Sequence, residues 1–318
     1  MLLAGLAAAS GLGLIFSLSA GSLWIGWAEL RSLLGGTADV LTRSLVVELR
    51  LPRALCAFAT GGMLALAGSL MQVLLRNPLA DPYVLGVSGG AAVGALLVVL
   101  LGLGGLALAG GAFGGALLSM FIVFALAHGR GAWSPTRLLL TGVVVAAGWG
   151  AAISFLLSIS SDSTLRGMIF WLLGDLSQSD HPGAGLLVLA VGLAAAMLAA
   201  PALNVLIHGE DKAKTLGVDV AGLRLRLYLL SSLLTAVAVT LAGNVGFVGL
   251  IVPHLVRMVA GNDHRIVLPA SVLLGATLLM VADTLARSVM SPAQLPVGVI
   301  TALIGVPLFL YLLRRCER

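Results

Sequence analysis

The sequence predicts an all-α, polytopic membrane protein, and three observations predict it. Of the 318 residues, 59% are hydrophobic and 10% are charged, where a soluble domain carries about 25% charged residues. The apolar content exceeds what one soluble core of this length would hold. Long stretches lack Asp, Glu, Lys and Arg altogether, at lengths near the roughly 20 residues that a helix needs to cross a bilayer. Together these exclude an ordinary water-soluble enzyme, a disordered scaffold and a coiled coil. The 41 glycines agree, because small residues let membrane helices approach closely.

The spans follow in order. A first apolar run ends at Glu29; the next are 54–75, 82–129, 138–161, 181–209, 227–256, 266–282 and 288–313. The run 82–129 holds two spans, with Gly104, Gly105, Gly110 and Gly111 supplying a turn. The run 227–256 is broken by Asn244 and Gly246 and resumes at Phe247, past Arg257, as a second short span. The expectation is ten transmembrane helices. The first has no basic lead and no closing A-x-A, so it reads as an uncleaved span rather than a signal peptide. Polar residues 208–226 form the longest interruption, read as short surface helices joined by Gly217. They divide a single transmembrane domain, 1–318, into front spans 1–207 and back spans 227–318. Spans 2–5 and 7–10 can stand as two four-helix sets in opposite senses.

The net charge of +5 reads as topology rather than as a nucleic-acid footprint. One set of loops carries twelve of the 18 Lys and Arg and the other six, which places the richer set, and both termini, in the cytoplasm. Cys56 and Cys316 lie far apart and carry no expectation of a disulfide. His128, His181, His208, His254 and His264 have no metal-ligand spacing, so no metal or bound cofactor is expected.

Several motifs stand out. Arg50-Leu51-Pro52-Arg53 opens the second span on the outer face, with proline where a helix loses no donor. Its two arginines suit snorkelling or the acidic side chains of an external partner. Arg76 to Pro82 makes a tight inner connector, Asn-Pro and Asp-Pro both favouring turns. Gly86-Val87-Ser88-Gly89-Gly90 fits a nucleophile elbow by pattern but begins a membrane helix, where small residues serve helix contact. A serine protease using Ser88 and His254 is the enzymatic alternative. Asp283 lies in the ninth span, one turn from Arg287. Pairing with that arginine competes with a role in a proton-coupled secondary carrier. Glu210 to Gly217 is amphipathic and carries both lysines of the chain, Lys212 and Lys214. Neither lysine follows a glycine, so no phosphate-binding loop exists here and any ATP chemistry belongs to another chain.

These motifs occur in one order. Arg50–Arg53, Ala67–Gln72, Asn77–Pro82, Leu85–Ala91, Gly246–His254, Asp263–Arg265 and Leu295–Val299 resemble the FecCD family over residues 40–314. Members are permease subunits of type II ABC importers for ferric siderophores, haem and vitamin B12. The resemblance implies a homodimer of ten-span subunits in the bacterial inner membrane with one central pathway. It implies two cytoplasmic ATPase subunits, which hold ATP and Mg, and a periplasmic substrate-binding protein. It assigns Arg50, Arg53 and Arg287 to docking that protein. Glu210, Ala213, Leu216 and Gly217 are assigned to the segment coupled to the ATPase. Asn77, Pro78 and Leu79 are assigned to the cytoplasmic gate, together with Pro135 and Thr136. That last pair departs from the small hydroxyl pair of the family's vitamin B12 permease.

The cargo is expected to be haem first, then a ferric siderophore, then cobalamin. Spans two, three and five carry no Lys or Arg in their apolar lengths, which suits a flat apolar or large neutral complex better than an acidic one. Arg166, near the outer mouth, could meet propionates in passing.

Overall fold

The computed structural model describes residues 1–21, 23–127, 135–177 and 182–316, and every regular element among them is helical. In chain order they are α1 (Leu2–Ser19), α2 (Trp27–Leu34), α3 (Val40–Arg43), a π-helical stretch Ser44–Arg50 and α4 (Leu51–Leu74). A 3-10 turn, Pro82–Leu85, leads into α5 (Val87–Leu100), α6 (Leu106–Ala127), α7 (Pro135–Ile159) and α8 (Asp162–Leu172). Then come α9 (Pro182–Leu206), α10 (Glu210–Thr215), α11 (Val220–Ala242), α12 (Val248–Ala260), α13 (His264–Ser288) and α14 (Val297–Cys316). Seven helical segments are long and apolar enough to cross a membrane. The apolar helices α5, α12 and α14 are shorter, and they lie where the sequence leads one to expect spans.

The element at the centre is α4. Its span window is 89% buried, against 11% for α7 and 22% for α1 and α6. It packs on α13, α11, α9 and α12, while α5, α6, α7 and α8 form a second group joined to the first through α11. Lipid tails are as apolar as leucine, so close van der Waals contact, not escape from water, holds such helices together. The contact is backbone on backbone. A Cβ on Gly68 of α4 would overlap the Gly249 carbonyl of α12, and one on Gly94 of α5 would overlap the Gly111 carbonyl of α6.

Three expectations are corrected. The second span does not begin near residue 54; a continuous helical segment runs over Val40–Leu74, 35 residues. At 1.5 Å per residue that is about 50 Å, longer than the roughly 30 Å hydrocarbon core, so its first turns stand outside the hydrocarbon. The helix continues through Arg50 and Arg53 because both arginines find partners inside the protein. The turn between the third and fourth spans is Leu101–Gly105; Gly110 and Gly111 sit within α6, and Gly111 is a packing residue. Residues 208–226 do not hold two separate short helices. Only α10 is free-standing, and the second is the first turns of α11. Gly217 does mark the joint, at φ +81°. His128, Arg130, His181 and Arg318 lie outside the described residues.

The break at 243–247 is as expected, with Gly243 and Phe247 at positive φ.

Gly68→Leu is expected to collapse the yield of monodisperse protein in detergent size-exclusion, since forced overpacking costs about 1–3 kcal/mol or more. Gly114→Leu, where a Cβ meets open space, should elute as the parent does.

Candidate functional site: charged clusters at the two ends of α4

At the N-terminal end of α4 three arginines and one carboxylate converge. Arg53 grips Asp283 with two nitrogens, Nε at 3.0 Å and NH2 at 2.8 Å from Oδ1, and donates from NH1 to Gln294 Oε1 at 3.1 Å. Arg287 Nε lies farther from that carboxylate, 3.8 Å from Oδ2. Arg53, not the neighbouring Arg287, is therefore the main partner of Asp283. Asp283 is 1% exposed and Arg53 15%, so the pair is shielded from water and strongly oriented.

The other two arginines turn inward onto α1. Arg50 NH1 donates to the carbonyls of Leu18 at 2.7 Å and Ser19 at 3.0 Å. Arg287 NH2 donates to the Ser17 carbonyl and, at 3.2 Å, to its Oγ. The last carbonyls of a helix have no partner within it and carry the negative end of its dipole. Two guanidinium groups meet that need here. Arg50 and Arg287 are 6% and 9% exposed, so neither presents an open face to a docking protein in this conformation. Arg53 and Gln294 form the accessible edge of the cluster.

Beyond the other end of α4 lies the connector to α5. Residue Arg76 is at φ +50°, with its N–H bonded to the Val73 carbonyl and the next N–H, of Asn77, to the Gln72 carbonyl. That is the helix-ending pattern in which glycine normally occupies the left-handed position; a side chain there costs about 1–2 kcal/mol. Arg76 NH2 reaches Glu210 Oε1 of α10 at 2.8 Å. Arg224 of α11 donates to the same oxygen.

Past Arg76 the connector is internally braced. Asn77 Oδ1 accepts from the Leu79 N–H at 2.9 Å, and Asp81 Oδ1 from the Tyr83 N–H at 2.7 Å. The Tyr83 hydroxyl donates to the Val245 carbonyl and accepts from the Val245 N–H, both at 3.1 Å. Burial pushes the Asp81 carboxyl up to about 6, against the Tyr83 N–H bond that favours its ionised form. Asn77, Pro78 and Leu79 are exposed, as is Thr136 at the start of α7. The side chain of Pro135 lies outside what is described.

In α10 the residues divide. Leu216 is 71% exposed and Gly217 is open. Ala213 is fully buried, so it seats the helix and offers nothing to a partner. Glu210 is 26% exposed and tied to two arginines of its own chain. Of the residues assigned to the coupled segment, Leu216 and Gly217 thus lie on its open face, while Ala213 and Glu210 lie toward the bundle, because one face of even a six-residue helix must rest on it.

Ser88 begins α5, which packs on α6, α7, α8 and α11, whereas His254 belongs to α12, which packs on α4, α13 and α14. The glycines of the Ser88 motif serve the α5–α6 contact. No group of three or more His, Cys, Asp or Glu among the described residues could hold a metal. Arg166 is exposed, its guanidinium 5.8 Å from the Phe170 ring.

The fold and these clusters define a multi-pass helical membrane protein with a charged assembly at each end of its central helix. The FecCD transport family profile matches residues 9–315. The cobalamin import system permease protein BtuC of Halobacterium salinarum is 45% identical over 284 residues, 88% of this chain and 75% of that protein. The hemin transport system permease protein HmuU of Yersinia pestis is 45% identical over 279 residues, 85% of this chain and 83% of that one. A solved metal-chelate type ABC transporter in an inward-facing conformation superposes at TM-score 0.88 with 32% identity, covering 98% of each chain. The chain belongs to the FecCD transport family, as a permease subunit of a type II ABC importer. Such a subunit is not itself an enzyme, which disposes of the Ser88–His254 protease reading.

Two predictions follow from this geometry. Removing one member of a buried pair costs about 3–5 kcal/mol, while replacing both by apolar residues costs far less. Asp283→Leu should therefore lower the thermal midpoint in detergent more than Arg53→Met combined with Asp283→Leu. A larger loss in the double variant would show that the pair is not the interaction at stake. For Asp81, the folded protein holds the proton about two pH units longer than a free aspartate. Folding thus takes up a proton between about pH 4 and 6, and stability falls as pH rises through that window, then levels. Asp81→Asn keeps the acceptor and should flatten the decline in melts compared at pH 4.5 and 7.

Proposed function

We propose that two copies of this chain form the transmembrane pathway of an ATP-driven importer in a bacterial inner membrane. The pathway takes up a metal–tetrapyrrole complex, haem or cobalamin, from the periplasm. Each copy crosses ten times with both termini in the cytoplasm. The observation that carries the reading is the placement of chemistry for two soluble partners at opposite ends of α4. The arginine cluster faces a periplasmic binding protein, and exposed Leu216 with α10 faces a cytoplasmic ATPase. ATP and Mg reside on the two ATPase subunits, and this chain binds no cofactor of its own.

The mechanism is alternating access. ATP closes the ATPase pair, the movement reaches α10, and the helices rock between outward-open and inward-open states. To move such an equilibrium from nearly all of one state to nearly all of the other takes about 5.5 kcal/mol. Apolar, small-residue walls let a large ligand pass without trapping it, and selectivity then sits in the binding protein. Arg53 is the residue of the outer cluster best placed to receive a carboxylate of that protein, which would share it with Asp283. Haem and cobalamin rank together because relatives named for each are equally similar to this chain; this lifts cobalamin and leaves a siderophore behind both. Asp283, held by Arg53, argues against the proton-coupled carrier.

Reconstitution with the ATPase and binding protein tests the reading. Haem or cyanocobalamin should enter proteoliposomes only when ATP and both partners are present. Uptake by the chain alone under a pH gradient would overturn it. Arg53→Gln should weaken binding-protein affinity about tenfold, with a flatter salt dependence; Arg31→Gln should change neither.

A further inference from the structure

The connector between α4 and α5 is bonded at both ends to elements outside itself. At its start Arg76 meets Glu210 on the first turn of α10 at 2.8 Å, and Arg224 shares the same carboxylate oxygen. At its end the Tyr83 hydroxyl clasps both backbone groups of Val245, in the break between α11 and α12. Between these points the chain braces itself through Asn77 Oδ1 to the Leu79 N–H, Asn77 O to the Ala80 N–H, and Asp81 Oδ1 to the Tyr83 N–H. Such a segment transmits displacement rather than absorbing it.

The strain at Arg76 is an independent pointer. A glycine would close α4 at φ +50° without penalty, yet an arginine stands there. Strained residues persist where their surroundings require them, and what the surroundings use here is the side chain. The ion pair itself is poor as a structural fastening. Arg76 is 45% exposed and Glu210 26%, and pairs so open to water contribute little to stability.

We propose that Arg76 and Glu210 are positioning residues that link α10 to the gate loop, so that movement of α10 by the ATPase is carried through Asn77–Leu79 to Tyr83 and the α11–α12 break. This rests on the importer reading above and adds to it a physical route from fuel to gate.

The test uses the permease co-assembled with its ATPase subunits, in a chain carrying Cys56→Ala, Cys316→Ala and the reporter Leu79→Cys. The readout is the labelling rate of that cysteine by a membrane-impermeant maleimide, with and without trapping by ATP and vanadate. The parent rate should change on trapping. In the Arg76→Gly variant, which keeps and eases the left-handed turn, ATP hydrolysis should stay within twofold of the parent. The trapping-induced change should shrink at least fivefold. Arg76→Lys, which restores a cation, should recover most of it. Arg76→Gly that retains the full response refutes the linkage while leaving the importer intact. A parent complex that hydrolyses ATP but shows no response at Leu79 removes the gate reading and the linkage together.

Discussion

A helix buried on every side must solve its packing without help from water, and α4 is that helix. Inside a bilayer there is little gain in hiding apolar surface from lipid, so contact has to come from close approach. Gly61 against Gly275 and Gly68 against Gly249 bring the backbone of α4 onto α13 and α12 at van der Waals range. The rest of the first helix group is arranged around these contacts. They also make α4 a fixed rod about 36 Å long, so whatever is attached to its two ends is held in register across the membrane.

The ends are where charge becomes unavoidable. The C-terminal carbonyls of α1 sit beside the N-terminal end of α4, and although Ser19 O accepts the Ile25 N–H, the helix end still needs donors in an apolar setting. Arg50 and Arg287 supply donors, and Asp283 supplies the counter-charge that lets Arg53 lie against them. Arginine suits this better than lysine because its planar fork can serve several oxygens at once. Of these four residues only Arg53 keeps an open edge, so a cluster built to meet a structural demand also presents one cation at the surface.

Much of this was legible in the sequence. Charge-free runs located the apolar helices because hydrocarbon forbids unpaired charge, and Asn244-Val245-Gly246 announced its own break. The motif residues Arg50, Arg53 and Arg287 were identified, and they do gather with Asp283. What the sequence did not reveal was direction. Nothing local says that Arg50 points back to α1, 31 residues earlier, or that Arg53 crosses to Asp283, 230 residues later. Nor could the sequence tell that Ala213 and Glu210 turn toward the bundle while Leu216 turns out, because polarity reports surface proximity, not which face of a short helix is down. One signal was overlooked. An arginine directly after the apolar run 54–75, at the place where a helix usually ends on glycine, marks a side chain the fold needs.

The two clusters differ in a way that fits their ends. At the N-terminal end of α4 the Arg53–Asp283 pair is shielded, and removing one partner costs about 3–5 kcal/mol. Beyond the other end of α4 the Arg76–Glu210 pair is partly open to water and contributes roughly 0–1 kcal/mol, so it can be broken and remade readily. On the importer mechanism proposed above, a stiff lock would then stand where a partner docks and a soft joint where ATP drives movement, a distribution of strength that would let docking and hydrolysis act in sequence rather than at cross-purposes.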